Sequence, residues 1–263
     1  MADDARFLAD SPDRLALLER LRAGAASPAT LAEDLDCARR SVQRNLAAFA
    51  ERDWVERSDG GYQLTTVGTL VSCTHADYLD RLASLDSYAP LLRHLDPEHA
   101  PELERLEDAE LVVASEADPQ APIHAYAERL RGFEGGRLRT CSPVLSRPFH
   151  EAHASLALGG THTELLLSTA TARRARELNP MEFAAVLRSG ALDLYTRPEP
   201  IPFGLAVDGE ALLLSAYDDE GHLQACLDGT DPELVEWAES QFETLQATAQ
   251  RVRSATELGE ENE

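Results

Sequence analysis

The chain contains no lysine. All 24 of its basic residues are arginine, set against 47 acidic residues in a length of 263. That absence removes whole classes of chemistry. A phosphate-binding P-loop needs a lysine, a Schiff-base enzyme needs one as nucleophile, and the HxK motif of phospholipase-D-type enzymes contains one. None of them can be built here. Cysteine is sparse: Cys37, Cys73, Cys141 and Cys226 stand far apart and form no CxxC pair. They read as free thiols, not as a zinc site or a disulfide framework. No run of 18 apolar residues escapes a charge, so no transmembrane helix is expected. The opening "MADDARFLAD" is acidic and lacks the apolar core of a secretory signal, so a cytoplasmic location is expected. GxSxG, HExxH and GxGxxG are also missing, so neither an enzyme nor a cofactor is expected.

The composition that is present has a physical reading. A formal net charge of −23 without lysine resembles the proteins of extreme halophiles. Carboxylates hold hydrated cations, and high salt screens their mutual repulsion. A GC-rich genome that favours arginine codons accounts for the arginine equally well. On either reading the net charge does not exclude a nucleic-acid partner. The acid is also uneven. Residues 1–74 carry 9 arginines and 12 carboxylates, whereas residues 75–263 carry 15 and 35. That asymmetry points to two domains with different surfaces.

The near-neutral part holds "CARRSVQRNL" at 37–46, with three arginines in ten positions. Upstream, "SPDRLALLERLRAG" opens with a Ser-Pro helix start and ends at Gly24, and "SPATLAEDL" repeats the start signal. A third helix is predicted over 39–52, with Val42, Leu46 and Phe49 at helical spacing. "DWVERSDGGYQLT" then reads as two short strands around a hairpin turn. Three helices followed by a hairpin is the order of a winged helix-turn-helix, with the third helix as reader. Its polar face offers Arg39, Arg40, Ser41, Gln43, Arg44 and Asn45 to double-stranded operator DNA, and Arg57 stands near the wing. Arginine bridges guanine O6 and N7, and glutamine or asparagine bridges adenine N6 and N7. Ser41 and Arg57 suit phosphates. The ordinary alternative is a solvated helix face whose arginines pair with nearby carboxylates.

"TTVGTLVSCTHADYLDRLASL" reads as a long helix with an apolar stripe at Val67, Leu70, Val71, Tyr78, Leu79, Leu82 and Leu85. Such a stripe rests on its own domain or pairs with a second copy, and a homodimer is expected. A polar connector begins near 97. Strand and helix signals then alternate: strands over 109–115, 137–144, 163–169 and 191–197, with helices over 122–133, 149–158, 170–179 and 181–190. The expected fold class is α/β within a multi-domain α+β chain, with a largely parallel sheet in the second domain. "PFGLAVDGEALLLSAYDDEGHLQACLDG" adds an antiparallel meander, and "DPELVEWAESQFETLQATAQRV" a closing helix. The expected domains are 1–65 for DNA binding, 66–96 as linker and dimerisation helices, 97–256 for effector or oligomerisation, and 257–263 as a disordered acidic tail.

"FAERDWVERSDGGYQLTTVG" at the wing, "VVASEADPQAPIHAYAERLR" and "PFGLAVDGEALLLSAYDDEGHLQACLDGTDPELVEWAE" together give the chain a family resemblance. It is similar, over nearly its whole length, to haloarchaeal two-domain transcriptional regulators. Their second domain resembles the middle domain of the archaeal methanogenesis regulator of the Fil type. The resemblance implies transcription regulation, with an effector or oligomerisation role for the second domain. It implies no ligand.

Ligands of open sheets sit beyond the carboxyl ends of strands. Ser115, Ser142 and Ser168, with Arg139, Arg173 and Arg197 close in sequence, are the candidate contacts for a small anionic effector. Helix-capping serines and salt-bridged arginines explain the same residues. His150 and His153 share a helix face but lack a third ligand, so no metal is expected. Cys141 after "RLRT" reads as a small buried side chain sooner than as a redox sensor. Two other functions fit the sequence: a protein–protein interaction module using the winged helix and the acidic surface without DNA, and a small-molecule enzyme with an appended DNA-binding domain.

Overall fold

The structure is a computed structural model that describes residues 2–133, 136–145, 147, 151, 153, 156 and 160–259. It divides into two compact units, residues 1–83 and 84–263. Together they give an α+β chain.

The first unit begins with α1 (Ala2–Ala9), α2 (Pro12–Arg22), α3 (Pro28–Asp34) and α4 (Arg39–Ala50). Both Ser-Pro starts are real, but only Ser27 caps through its side chain, accepting from the Thr30 amide at 3.1 Å. Strands β1 (Val55–Ser58) and β2 (Gly61–Leu64) form a hairpin with a two-residue turn. A bridge between Ala26 and Tyr62 adds a third strand-like segment to it. Leu17, Leu18, Leu21, Leu31, Val42, Leu46, Phe49 and Trp54 fill the core. Phe7 of α1 closes it edge-on to Phe49 and Trp54, with the Arg14 and Arg52 guanidiniums each 3.9 Å from its ring centre.

Helix α5 (Thr66–Leu92) follows, and the division between the units falls within it. Its start depends on Gly68. A Cβ there would lie 1.9 Å from the Trp54 carbonyl oxygen, which accepts the Thr65 amide. Val67, Leu70, Tyr78, Leu79, Leu82 and Leu85 are all exposed along α5.

The second unit is built on one eight-stranded sheet. Its strands are β3 (Glu110–Val113), β4 (Arg137–Cys141), β5 (His162–Ser168), β6 (Leu192–Arg197), β7 (Gly204–Val207), β8 (Leu212–Tyr217), β9 (Leu223–Gly229) and β10 (Gln250–Val252). The order is β10-β6-β5-β4-β7-β8-β9-β3. Only β4–β5 and β5–β6 pair in parallel. The expected largely parallel sheet is therefore mixed. Helix and strand alternate as expected where the residues are described, but β3 sits at the far edge against β9 and runs antiparallel to it. The expected meander is β7-β8-β9.

Helices α6 (Ala121–Arg131), α7 (Thr169–Leu178), α8 (Pro180–Ser189) and α9 (Pro232–Gln246) complete the described α-helices. The central strands are buried on both faces. Leu205, Val207, Leu212 and Leu214 meet Val235, Ala238 and Phe242 of α9. Ala206 and Leu213 meet Tyr126 and Leu130 of α6. The closing helix is shorter than expected: it ends at Gln246, and residues 250–252 become β10 by pairing with β6. The helix expected over 149–158 lies largely outside the described residues, as does most of the acidic tail.

Candidate nucleic-acid interface

Helix α4 carries its side chains on two distinct arcs. Val42, Asn45, Leu46 and Phe49 are buried, whereas Arg39, Arg40, Gln43, Arg44 and Ala47 are exposed. The apolar arc anchors the helix in the first core, and that anchoring holds the arginines outward. Neither Arg39, Arg40, Gln43 nor Arg44 has a hydrogen-bond or ion-pair partner among the described residues. Some arginines of the same unit do pair: Arg6 faces Asp10, Arg20 meets Asp34 at 2.6 Å, and Arg52 meets Asp4 at 3.3 Å, whereas Arg22 and Arg57, like the α4 arginines, have no carboxylate partner among the described residues. The donors of the three α4 arginines face solvent.

Two sequence assignments change. Asn45 is 3% exposed, and its Oδ1 accepts from Arg14 Nε at 3.4 Å. It is an internal tie between α2 and α4, because its place on the helix falls on the core side. Ser41 is half-buried at the margin of the exposed arc. Arg57 remains exposed on β1, cross-strand from Tyr62, with its guanidinium 5.5 Å from that ring. Asp59 is exposed at the wing tip, where it disfavours a close phosphate.

In the second unit the proposed effector residues separate. Ser142, Ser168 and Arg197 follow or end the adjacent strands β4, β5 and β6, so they share one sheet edge. Each already has a local partner. Ser142 Oγ donates to the Val144 carbonyl at 2.6 Å, Ser168 Oγ caps α7 at Thr171, and Arg197 meets Glu199 at 3.2 Å. Arg173 bonds the Leu258 carbonyl at 3.1 Å. Ser115 follows β3, at the far edge of the sheet, and closes a turn with the Asp118 amide. Arg139 is not at a strand end: it lies within β4 and pairs with Glu239, Glu243 and Glu164.

His153 Nε2 lies 3.2 Å from the Tyr126 hydroxyl, while His150 lies outside the described residues. Cys141 is buried and faces the Phe203 carbonyl, and burial pushes its thiol up to about 12. Such a thiol is inert, as its reading as a small buried side chain implies. Among the described residues, Asp218, Glu220 and His222 bring ligand atoms together at the β8–β9 turn. Asp218 Oδ1 there already accepts the Glu220 and His222 amides, which is turn chemistry.

Sequence reasoning missed three supports of the interface. Helix α1 is only eight residues long with two acidic residues in its first turn, the Ala26 bridge is a single residue pair, and the Arg14–Asn45 tie joins residues 31 apart.

Helices α2, α3 and α4 with the hairpin wing, followed by a separate sheet domain, define a two-domain winged helix-turn-helix protein. Two family models match it. The HVO_A0261 N-terminal domain matches residues 2–87, and the middle domain of the methanogenesis regulatory protein FilR1 matches residues 119–248. The chain belongs with the two-domain archaeal transcription regulators that carry these domains. A search of the curated proteins finds no match. Among solved structures, TrmBL2, described as an archaeal chromatin protein with a novel mode of DNA binding, has a TM-score of 0.43 at 13% identity. The match covers 95% of this chain and 100% of that one. The phosphatidylserine synthase of Haemophilus influenzae Rd KW20 has a TM-score of 0.43 at 18% identity, covering 58% of this chain and 41% of that one. NucT from Helicobacter pylori has a TM-score of 0.42 at 10% identity, covering 55% and 99%.

Proposed function

We propose that this regulator binds operator DNA as a homodimer, with α4 in the major groove and the wing beside the backbone. The observation that carries the reading is the exposed, unpartnered set of Arg39, Arg40, Gln43 and Arg44 on one face of a core-anchored helix. In so acidic a chain, basic side chains left without carboxylates suit a polyanion. Arg57 on the wing supplies a phosphate contact. The exposed apolar stripe of α5 supports pairing with a second copy, which would present two reader helices to two half-sites.

The second unit acts as an effector domain without catalysis. A small anion is the ligand class that suits the edge formed by Ser142, Ser168 and Arg197. The absence of lysine supports the non-catalytic reading. The same absence, with the charge of −23, supports a salt-rich cytoplasm as the working solvent. No described helix is long and apolar enough to cross a membrane.

Fluorescence anisotropy on a promoter duplex recovered by chromatin pull-down tests the DNA reading. The double variant Arg40→Ala/Arg44→Ala is expected to lose about a hundredfold or more in affinity at matched potassium chloride, with an unchanged thermal melt. Unchanged affinity would overturn it.

A further inference from the structure

We propose that α4 divides its exposed face between two tasks: Arg40 and Gln43 read base edges, while Arg39 and Arg44 hold phosphates on opposite walls of the groove. The division rests on the DNA-binding reading above and follows from where each side chain stands around the helix. At about 100° per residue, Arg39 and Arg44 mark the two rims of the exposed arc, about 140° apart. Gln43, Ala47 and Arg40 lie between them. A helix with side chains is about 10–12 Å across and the major groove is about 12 Å wide, so an inserted helix fills the groove. Side chains at the centre of the arc then face the floor, which carries the base edges. Side chains at the rims face the walls, which carry the phosphates.

Two neighbours bound the reading window. Ala47 lies centrally and adds only a methyl, so the backbone can approach the floor closely. Glu51 is exposed on the same arc just past the helix end, and its carboxylate would meet the phosphates unfavourably. The window therefore runs from Arg39 to Ala47, about 12 Å, or three to four base-pair steps of about 3.4 Å. Asn45 is removed from it by its bond to Arg14.

The floor contacts predict a sequence. Arg40 fits guanine through O6 and N7, and Gln43 fits adenine through N6 and N7. They stand about 4.5 Å apart along the axis, which places the two bases one or two steps from each other. The Ala47 methyl suits a thymine methyl further along.

The test uses the full chain. Bound duplexes are selected from a randomised pool at fixed potassium chloride. Affinities of Arg39→Ala, Arg40→Ala, Gln43→Ala and Arg44→Ala are then measured on the selected site and its single-base-pair variants across a salt series. Arg40→Ala and Gln43→Ala are each expected to lose about tenfold or more on the selected site and to stop discriminating one base pair. Arg39→Ala and Arg44→Ala are expected to weaken every duplex alike and to change the salt slope by about 1. Arg40→Gln is expected to move one guanine preference to adenine. The assignment is overturned if Arg39 or Arg44 carries a base preference, if Arg40→Ala and Gln43→Ala leave preferences intact, or if the chain binds DNA with no sequence selected. Failure to bind any duplex would instead remove the DNA reading itself.

Discussion

Replacing Leu82 with aspartate should dissolve the proposed dimer. Leu82 is 40% exposed on α5, and Val67, Leu70, Tyr78, Leu79 and Leu85 are each at least as exposed. Their exposed fractions together amount to about three whole side chains per copy. Burying them in two copies gains about 9–18 kcal/mol at about 1.5–3 kcal/mol per side chain. Association costs about 4–15 kcal/mol in lost freedom. The balance is a modest surplus, so one position can decide it. Leu82→Asp removes about 1–2 kcal/mol of burial over the two copies. It also places two carboxylates in an apolar seam, where each costs more than the roughly 1–3 kcal/mol of a neutral polar group buried without a partner. A total of at least about 4 kcal/mol raises the dissociation constant about a thousandfold or more. Sedimentation velocity over a concentration series, in potassium chloride matched to the binding assays, reads it directly. Leu178→Asp, at a 74% exposed leucine of α7 in the second unit, is the control and should leave the dimer intact. A wild-type chain that sediments as a monomer throughout would refute the reasoning. So would a dimer that survives Leu82→Asp or is lost with Leu178→Asp.

Two further outcomes follow from the packing. Gly68→Ala should destabilise the first unit by about 2 kcal/mol: the clash with the Trp54 carbonyl costs up to about 3, and helix propensity returns about 1. In a Trp237→Phe background Trp54 is the sole tryptophan, and its fluorescence should show the urea midpoint falling by about 1 M, whereas a rise would mean that α5 does not start against Trp54. In the native chain an aromatic disulfide reagent at mildly alkaline pH should modify Cys73 first and Cys37 more slowly. Burial, then Asp13 and Asp36, raise the Cys37 thiol. Cys141 and Cys226, both pushed by burial to about 12, should react only after denaturation, and fast labelling of Cys141 would restore its reading as a redox sensor.

What the sequence made legible was local. Ser-Pro starts, the 3.6-residue spacing of Val42, Leu46 and Phe49, and the Asp-Gly turn are signals within a few residues, and each lies where it was read. What stayed hidden was set by distant partners. Asn45 looked like part of a polar face, yet Arg14 of another helix holds it inside. Residues 250–252 looked like the end of a helix, yet β6 recruits them as a strand. The period of β3 said strand, but nothing local could say that its neighbour would be β9. The effector candidates were chosen as polar residues near strand ends, and capping and ion pairing, which use the same residue types, account for their contacts.

The acidity of the chain and the proposed affinity for a polyanion are compatible because charge acts here at contact range. In the second unit most of the acid is matched only in places: Arg105 meets Glu102 and Glu233, Arg129 meets Asp228, and Arg137 and Arg139 meet Glu164. The remainder is a long-range field, and a field of that kind is a property of the solvent as much as of the protein. The screening length is about 30 Å at 0.01 M salt but about 3 Å at 1 M. In dilute salt the carboxylates outside the first 74 residues would repel a duplex before any arginine touched it. In molar salt they are invisible beyond one side chain, and only groups that meet the phosphates or bases directly count. Arg39, Arg40 and Arg44 are such groups because no carboxylate of the described chain neutralises them first. At such salt the contact chemistry of individual arginines, and not the net charge, decides whether a surface can hold a polyanion.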